Sequence, residues 1–223
     1  MKKFIVLLFA ICSFALTGCI EIIDDLTLNA DGSGSFKYTI NLSSSKVKVN
    51  SVLALDSLDG KKVPSKVEIE QMINDFKIHL AKEPGISNVQ ADVDMSNFLI
   101  KVSCDFKNVH ALQSGVKNTI SSLYKHGANE MDSYNWITWE DNVLYRSVPQ
   151  VATQELKRLK SEERDLLKNG TYTSFTRFEK EIAEFENAKA QLSKNKRAIM
   201  LRVDPNALIS NTGLLTNRIK LEQ

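Results

Sequence analysis

Strict two-residue alternation is the feature that most restricts what this chain can fold into. Phe36, Tyr38, Ile40 and Leu42 alternate with Lys37, Thr39 and Asn41, the period of a strand with one face buried and the other wet. The same period recurs in Val89, Ala91, Val93 and Met95, set against Gln90, Asp92 and Asp94. It recurs again in Phe98, Ile100, Val102, Cys104 and Phe106. Short turn-forming stretches separate consecutive strands. Ala30-Asp31-Gly32-Ser33-Gly34 follows a candidate strand over 20–29 in which Leu26 and Leu28 share a face opposite Thr27. Ser96-Asn97 precedes the Phe98 strand, and Glu140-Asp141-Asn142 lies between Trp136-Ile137-Thr138-Trp139 and Val143-Leu144-Tyr145. Three hairpins are predicted. Trp136 and Trp139 are the two tryptophans of the chain; three residues apart, they fall on opposite faces of a strand, with core packing favoured for both.

Helical spacing appears between the hairpins. Ser65 is a good N-cap for a helix whose apolar stripe is Ile69, Met72, Ile73, Phe76 and Leu80, ending before Pro84-Gly85. Asn108 caps a second, with Val109, Leu112, Val116, Ile120 and Leu123 on one face and an end near Gly127. A third is expected from the serines at 43–45 through Leu58, with Val47, Val52 and Leu55 in its interior. Over residues 35–140 the order is therefore strand, helix, strand, strand, helix, strand. The predicted class is α+β, an antiparallel sheet built from hairpins with helices packed on one face. The order is compatible with a ferredoxin-like split βαβ unit. Further on, 150–168 reads as a solvated helix with a thin stripe of Leu156, Leu159 and Leu166. Strands are predicted over Tyr172 to Phe185, around Leu192, over Ala198 to Val203 and over Leu215 to Leu221, with a brief helix from Pro205 to Ile209.

The first residues are of another kind. Lys2 and Lys3 precede a run from Phe4 to Leu16 that is apolar except for Ser13, the make-up of a signal peptide. The run is shorter than the ~20 residues a spanning helix needs. It closes on Leu16-Thr17-Gly18-Cys19, which resembles the lipobox of bacterial envelope lipoproteins. That resemblance implies removal of residues 1–18 and diacylglyceryl and N-acyl chains, palmitate among them, on Cys19. Two or more acyl chains anchor a protein stably, whereas one does so marginally. Residues 19–223 are then read as a single α+β domain, with a sub-boundary placed near 127–133. Strand pattern begins directly after Cys19, so the domain is expected close to the bilayer. The passage from Cys19 through Asp25-Leu26-Thr27-Leu28-Asn29-Ala30-Asp31-Gly32-Ser33-Gly34 further resembles envelope lipoproteins of the Bacteroidetes type, and more faintly the LppM-type lipoproteins of actinobacteria. Ile20 after the cysteine, rather than Asp, points to an outer membrane facing the periplasm. Glu21, Asp24 and Asp25 only partly meet the acidic tether that can signal surface display.

Charge and chemistry-bearing residues exclude more than they assign. The formal net charge of +2 comes from 29 basic and 27 acidic residues, and Lys2 and Lys3 account for it. With no basic stripe interleaved with aromatics, nucleic acid is not an expected partner. Without Cys12 and Cys19, Cys104 is the one remaining thiol, read as a small buried apolar side chain. Asp31-Gly32-Ser33-Gly34 is a turn and not a calcium loop, which would need several oxygen ligands at alternate positions. Ser43-Ser44-Ser45-Lys46 matches a serine-enzyme pattern but lacks the companion Ser-Asp-Asn and Lys-Thr-Gly elements. His79, His110 and His126 stand at unrelated spacings, and His79 is read as a boundary residue. No cofactor, metal or catalytic residue is expected. The sequence thus suggests a non-enzymatic lipoprotein, tethered through Cys19, with a binding or assembly surface for a protein partner. The alternative is a carrier of a lipid or small apolar ligand, and a less favoured one an envelope hydrolase in which His110 or His126 meets a carboxylate and a serine or Cys104.

Overall fold

A computed structural model describes residues 20–123, 135–147 and 159–223. The leader, Cys19, His126, the sub-boundary near 127–133 and residues 150–158 of the expected solvated helix lie outside the described residues. The α+β class is as predicted. The three hairpins form: β1 (Glu21–Leu28) with β2 (Gly34–Asn41), β5 (Ile86–Asp94) with β6 (Leu99–Phe106), and β7 (Ile137–Glu140) with β8 (Val143–Arg146). Between the first two lie α1 (Lys46–Leu53), a small ribbon of β3 (Ser57–Leu58) and β4 (Lys61–Lys62), and α2 (Lys66–Leu80); α3 (Val109–Leu123) follows β6. The remaining elements are α4 (Ser161–Leu166), β9 (Thr171–Phe178), β10 (Ile182–Phe185), β11 (Gln191–Leu192), β12 (Ala198–Val203), α5 (Pro205–Ser210) and β13 (Asn217–Leu221).

Seven strands make one sheet in the order β11-β12-β9-β1-β2-β6-β5, and four make a second in the order β10-β13-β8-β7. β2, β6 and β5 with α2 between them realise three strands of the split βαβ unit. The fourth, β7, goes to the second sheet, and β1 takes its place beside β2. The pairing of β1 with β9 is parallel, the exception in an otherwise antiparallel sheet.

One apolar core joins the layers. Leu26 and Leu28 of β1 meet Ile137, Leu144 and Ile219 of the second sheet and Val109 and Leu112 of α3, all nearly inaccessible. The inner face of the large sheet is therefore covered by α2 and α3 on one side and by the small sheet on the other. Both predicted caps are made. Ser65 and Glu68 form a reciprocal capping box at α2, and Asn108 Oδ1 accepts from the Ala111 amide at 2.8 Å. The tryptophans are both core: Trp136 is buried, and Trp139 packs on the core with its ring 6.4 Å from Phe178.

Several expectations are corrected. The serines at 43–45 make a 3-10 turn without a side-chain cap, and α1 ends at Leu53 rather than Leu58. Asp59 and Gly60 take positive φ and turn the chain into the β3–β4 ribbon. α1 buries nothing; Val47 is 83% and Leu55 47% exposed. The predicted strand from Tyr172 to Phe185 is two strands in different sheets, broken at the charged bend Glu179-Lys180-Glu181, where Glu179 accepts from the Ala30 amide. The last strand starts at Asn217, because Leu215 closes a 3-10 turn.

Candidate ligand cavity

Register places the inner-facing residues of the large sheet in rows. Ile22, Ile40 and Ile100 form one; Asp24, Tyr38 and Val102 the next; Leu26, Phe36 and Cys104 the third. Against these rows α2 presents Ile73 and Phe76, and α3 presents Val116 and Ile120, as their helical spacing requires. Between sheet and helices lies a cavity of about 510 Å³, within the ~300–1,000 Å³ span of small-molecule sites. Trp136, Leu167 and Pro205 complete its wall.

A polar cluster interrupts this apolar wall at its centre. Asp24 sits on β1, the middle strand, and is 3% exposed. Its Oδ1 is 2.5 Å from Arg146 Nη2, the arginine arriving from the end of β8 in the other sheet. Ser174 Oγ donates to the same oxygen at 2.9 Å, and the Tyr172 hydroxyl donates to Oδ2. Arg146 Nη1 in turn donates to Thr176 Oγ1 at 3.1 Å and to the Phe175 carbonyl at 3.4 Å. A buried charge pair is tolerable only with its remaining hydrogen-bonding groups met, and β9 supplies these donors and acceptors. Among the described wall residues, Asp24 and Arg146 are the only charged ones.

Tyr38, beside Asp24 in register, completes the cluster. Burial, and then the Asp24 charge, raise its phenol pKa well above the ordinary tyrosine value; the same causes act on Tyr172. Both hydroxyls stay protonated at neutral pH. Tyr172 spends its proton on Asp24. Among the described residues, the Tyr38 hydroxyl has no hydrogen-bond partner, although it borders the cavity.

Among the described residues singled out for catalysis, Cys104 and His110 do not come together; His126 lies outside the described residues. Cys104 is buried in the cavity wall, and its thiol is pushed up to about 11, first by burial and then by Asp105. It is the buried apolar residue expected, and the reverse of an activated thiol. His110 Nε2 lies 3.4 Å from Ser114 Oγ on the exposed side of α3. His79 Nδ1 is 2.9 Å from Ser122 Oγ where α2 and α3 meet, a boundary position as read. Asp31 Oδ1 accepts from the Ser33 amide and hydroxyl, which makes Asp31 to Ser33 a turn. Lys46 Nζ reaches Asn97.

Asp24, one of the three acidic residues that only partly meet a surface-display tether, is the centre of the cavity cluster. Its parity held the signal, for it alternates in phase with Leu26 and Leu28. Tyr38 likewise shares the parity of Phe36 and Ile40. Arg146, Tyr172 and Ser174 carried no local signal, because what joins them to Asp24 is the pairing of β1 with β9 and the approach of the second sheet. Glu21 and Asp25, on the opposite face, are held by Asn41 at 3.0 Å and by Arg177 at 2.9 Å.

No protein-family model matches the chain, and no curated protein matches it. Among solved structures, the NMR structure of the folded domain of LppM from Mycobacterium tuberculosis matches with a TM-score of 0.41 and 7% identity, covering 92% of this chain and 90% of that one. Among the described residues, no helix is long and apolar enough to cross a membrane.

Proposed function

We propose that this protein is an envelope lipoprotein, anchored through acyl chains on Cys19, that holds a small and mostly apolar ligand inside its domain. The observation that carries the reading is the cavity of about 510 Å³, with its apolar wall and its one internally neutralised charge pair. A well-packed interior contains few voids larger than a water, so a space of this size calls for a function. The anchor rests on the residues before Cys19. β1 begins at Glu21, so a lipidated Cys19 would hold the domain at the membrane face, here taken as the periplasmic side of an outer membrane. Chemistry on the ligand is not part of the proposal; the role is binding or carriage.

A surface for assembly with a protein partner is the second reading. It draws on Val47 and Val67, which are 83% and 73% exposed on consecutive helices.

Two measurements test the first reading. Membrane fractionation of wild type against Cys19→Ala should move the protein out of the membrane fraction; an unchanged distribution refutes the anchor. Solvent extraction of the purified full chain followed by mass spectrometry should yield a stoichiometric apolar molecule besides the acyl chains of Cys19. Val116→Trp, which fills the cavity from α3, should lose that molecule. A folded wild-type chain that yields none and binds no apolar probe would leave the cavity without this role.

A further inference from the structure

The polar cluster narrows the chemistry of the ligand, an inference that rests on the carrier reading above. Asp24 and Arg146 are the charged groups of the described wall, and they balance each other at 2.5 Å. Both carboxylate oxygens of Asp24 are already engaged, Oδ1 by Arg146 and Ser174 and Oδ2 by Tyr172. An anionic head group would enter an apolar space whose one cation is already neutralised. A cationic one would have to displace the donors around Asp24. Either would stand as an unpaired buried charge, which is strongly unfavourable.

Two donors of the described wall remain to be met: the buried Trp136 Nε1, which makes no hydrogen bond among the described residues, and the hydroxyl of Tyr38, which stands in the row of the charge pair. The Tyr38 hydroxyl lies in the central row of the sheet, next to Asp24 and across from Val102. It borders the cavity and, among the described residues, makes no hydrogen bond. A neutral phenol in that position offers a proton to whatever occupies the space, while Ile22, Phe36, Ile40, Ile73, Phe76 and Ile120 offer only apolar contact.

We propose that the cavity takes an uncharged lipid-like molecule, an ester or alcohol of an acyl chain, whose polar end accepts a hydrogen bond from Tyr38. The ion pair at the centre of the wall selects against charge; it does not bind a charged head group. Fatty-acid anions and amphiphilic amines are thereby excluded, and a plain hydrocarbon binds without the added hydrogen bond.

The test uses the full chain carrying Cys19→Ala, which has no acyl chains of its own to compete. Dodecane, methyl dodecanoate, dodecanoate and dodecylammonium are titrated at about pH 8, where the acid is ionised and the amine protonated. Methyl dodecanoate should bind best, with both ions about tenfold or more weaker, the scale of one lost or unmet hydrogen bond. Tyr38→Phe, checked for native circular dichroism, should weaken the ester about tenfold and leave dodecane unchanged. An ion that binds as tightly as the ester overturns the proposal, and so does an ester affinity that Tyr38→Phe does not alter. In both cases the carrier reading survives. If none of the four probes binds, dodecane included, the carrier reading falls with it.

Discussion

Arg146 Nη2 lies 2.5 Å from Asp24 Oδ1, and the two residues belong to different sheets. Their contact is the one buried ion pair among the described residues, and it ties the end of β8 to the middle of β1. Removing one partner leaves the other charged and unsolvated. Arg146→Met should therefore cost about 3–5 kcal/mol, whereas Arg146→Met with Asp24→Asn should recover much of the loss. Urea unfolding of the two single variants and the double gives the coupling directly. Additive effects would show that the pair does not hold the sheets together.

Alkaline pH should weaken the fold through groups that are neutral when buried. Cys104 has its pKa raised from 9.0 to about 11 in the folded chain. A raised pKa means the folded state holds its proton more tightly, so the contribution is complete below the unfolded value. It is lost as pH rises from about 9 to about 11. At ~1.4 kcal/mol per unit the change is about 3 kcal/mol. Cys104→Ala should flatten stability between about pH 9 and about pH 10 and lessen the loss from there to about 11, at the expense of a small cavity. Tyr38 and Tyr172 are raised as well, so the variant should still lose stability above about pH 10, the ordinary tyrosine value.

The first hairpin turn is matched to the third. Gly32 takes φ of 82°, and a Cβ there would sit 3.1 Å from Trp139 Cδ1. Gly32→Ala adds left-handed strain and pushes on a ring that packs against Phe178. It should cost about 1–2 kcal/mol, visible as a lower urea midpoint with an unchanged slope. A neutral substitution would mean that the turn yields without disturbing Trp139.

The cap of α2 is the exposed counterpart. Ser65 accepts from the Glu68 amide, and Glu68, its pKa lowered to about 2 first by Lys62 and then by Ser65, accepts from the Ser65 amide. Ser65→Ala should destabilise by about 1 kcal/mol. A depressed acid contributes above its unfolded pKa, so that part of the stability should fade as pH drops from about 4.5 toward about 2. Thermal melts of Glu68→Ala and wild type should converge at the acid end, whereas the difference made by Ser65→Ala, whose hydroxyl accepts from the Glu68 backbone amide, should persist there.

Local pattern was enough for the hairpins, for both amphipathic helices with their caps, and for β12 residue by residue. Each of these depends on a period or a hydrogen bond spanning a few neighbours, which the order of side chains states outright. α1 escaped for the same reason inverted: Val47 and Leu55 have apolar side chains that stand exposed and Val52 is only half-buried, so apolar composition there did not extend the helix past Leu53. The split βαβ order was legible too, but which strand would fill its last place was not. β1 and β7 have equally strand-like sequences, and only the packing of two sheets decides between them.

The candidate site divides the same way. Parity within β1 and β2 determines by sequence alone that Asp24 and Tyr38 face inward with Leu26 and Ile40. An inward Asp demands a partner, yet the chain itself does not say which. Arg146 is 122 residues away, and Ser174 and Tyr172 are brought alongside by the parallel pairing of β1 with β9. Tertiary structure decided that the charge would be neutralised from across the core, that Tyr38 would keep its proton unshared, and that α2 and α3 would stand off from the sheet far enough to leave the cavity. The reason is physical: burial and pairing depend on surfaces far apart in the chain, whereas periodicity and capping are complete within a turn or a strand.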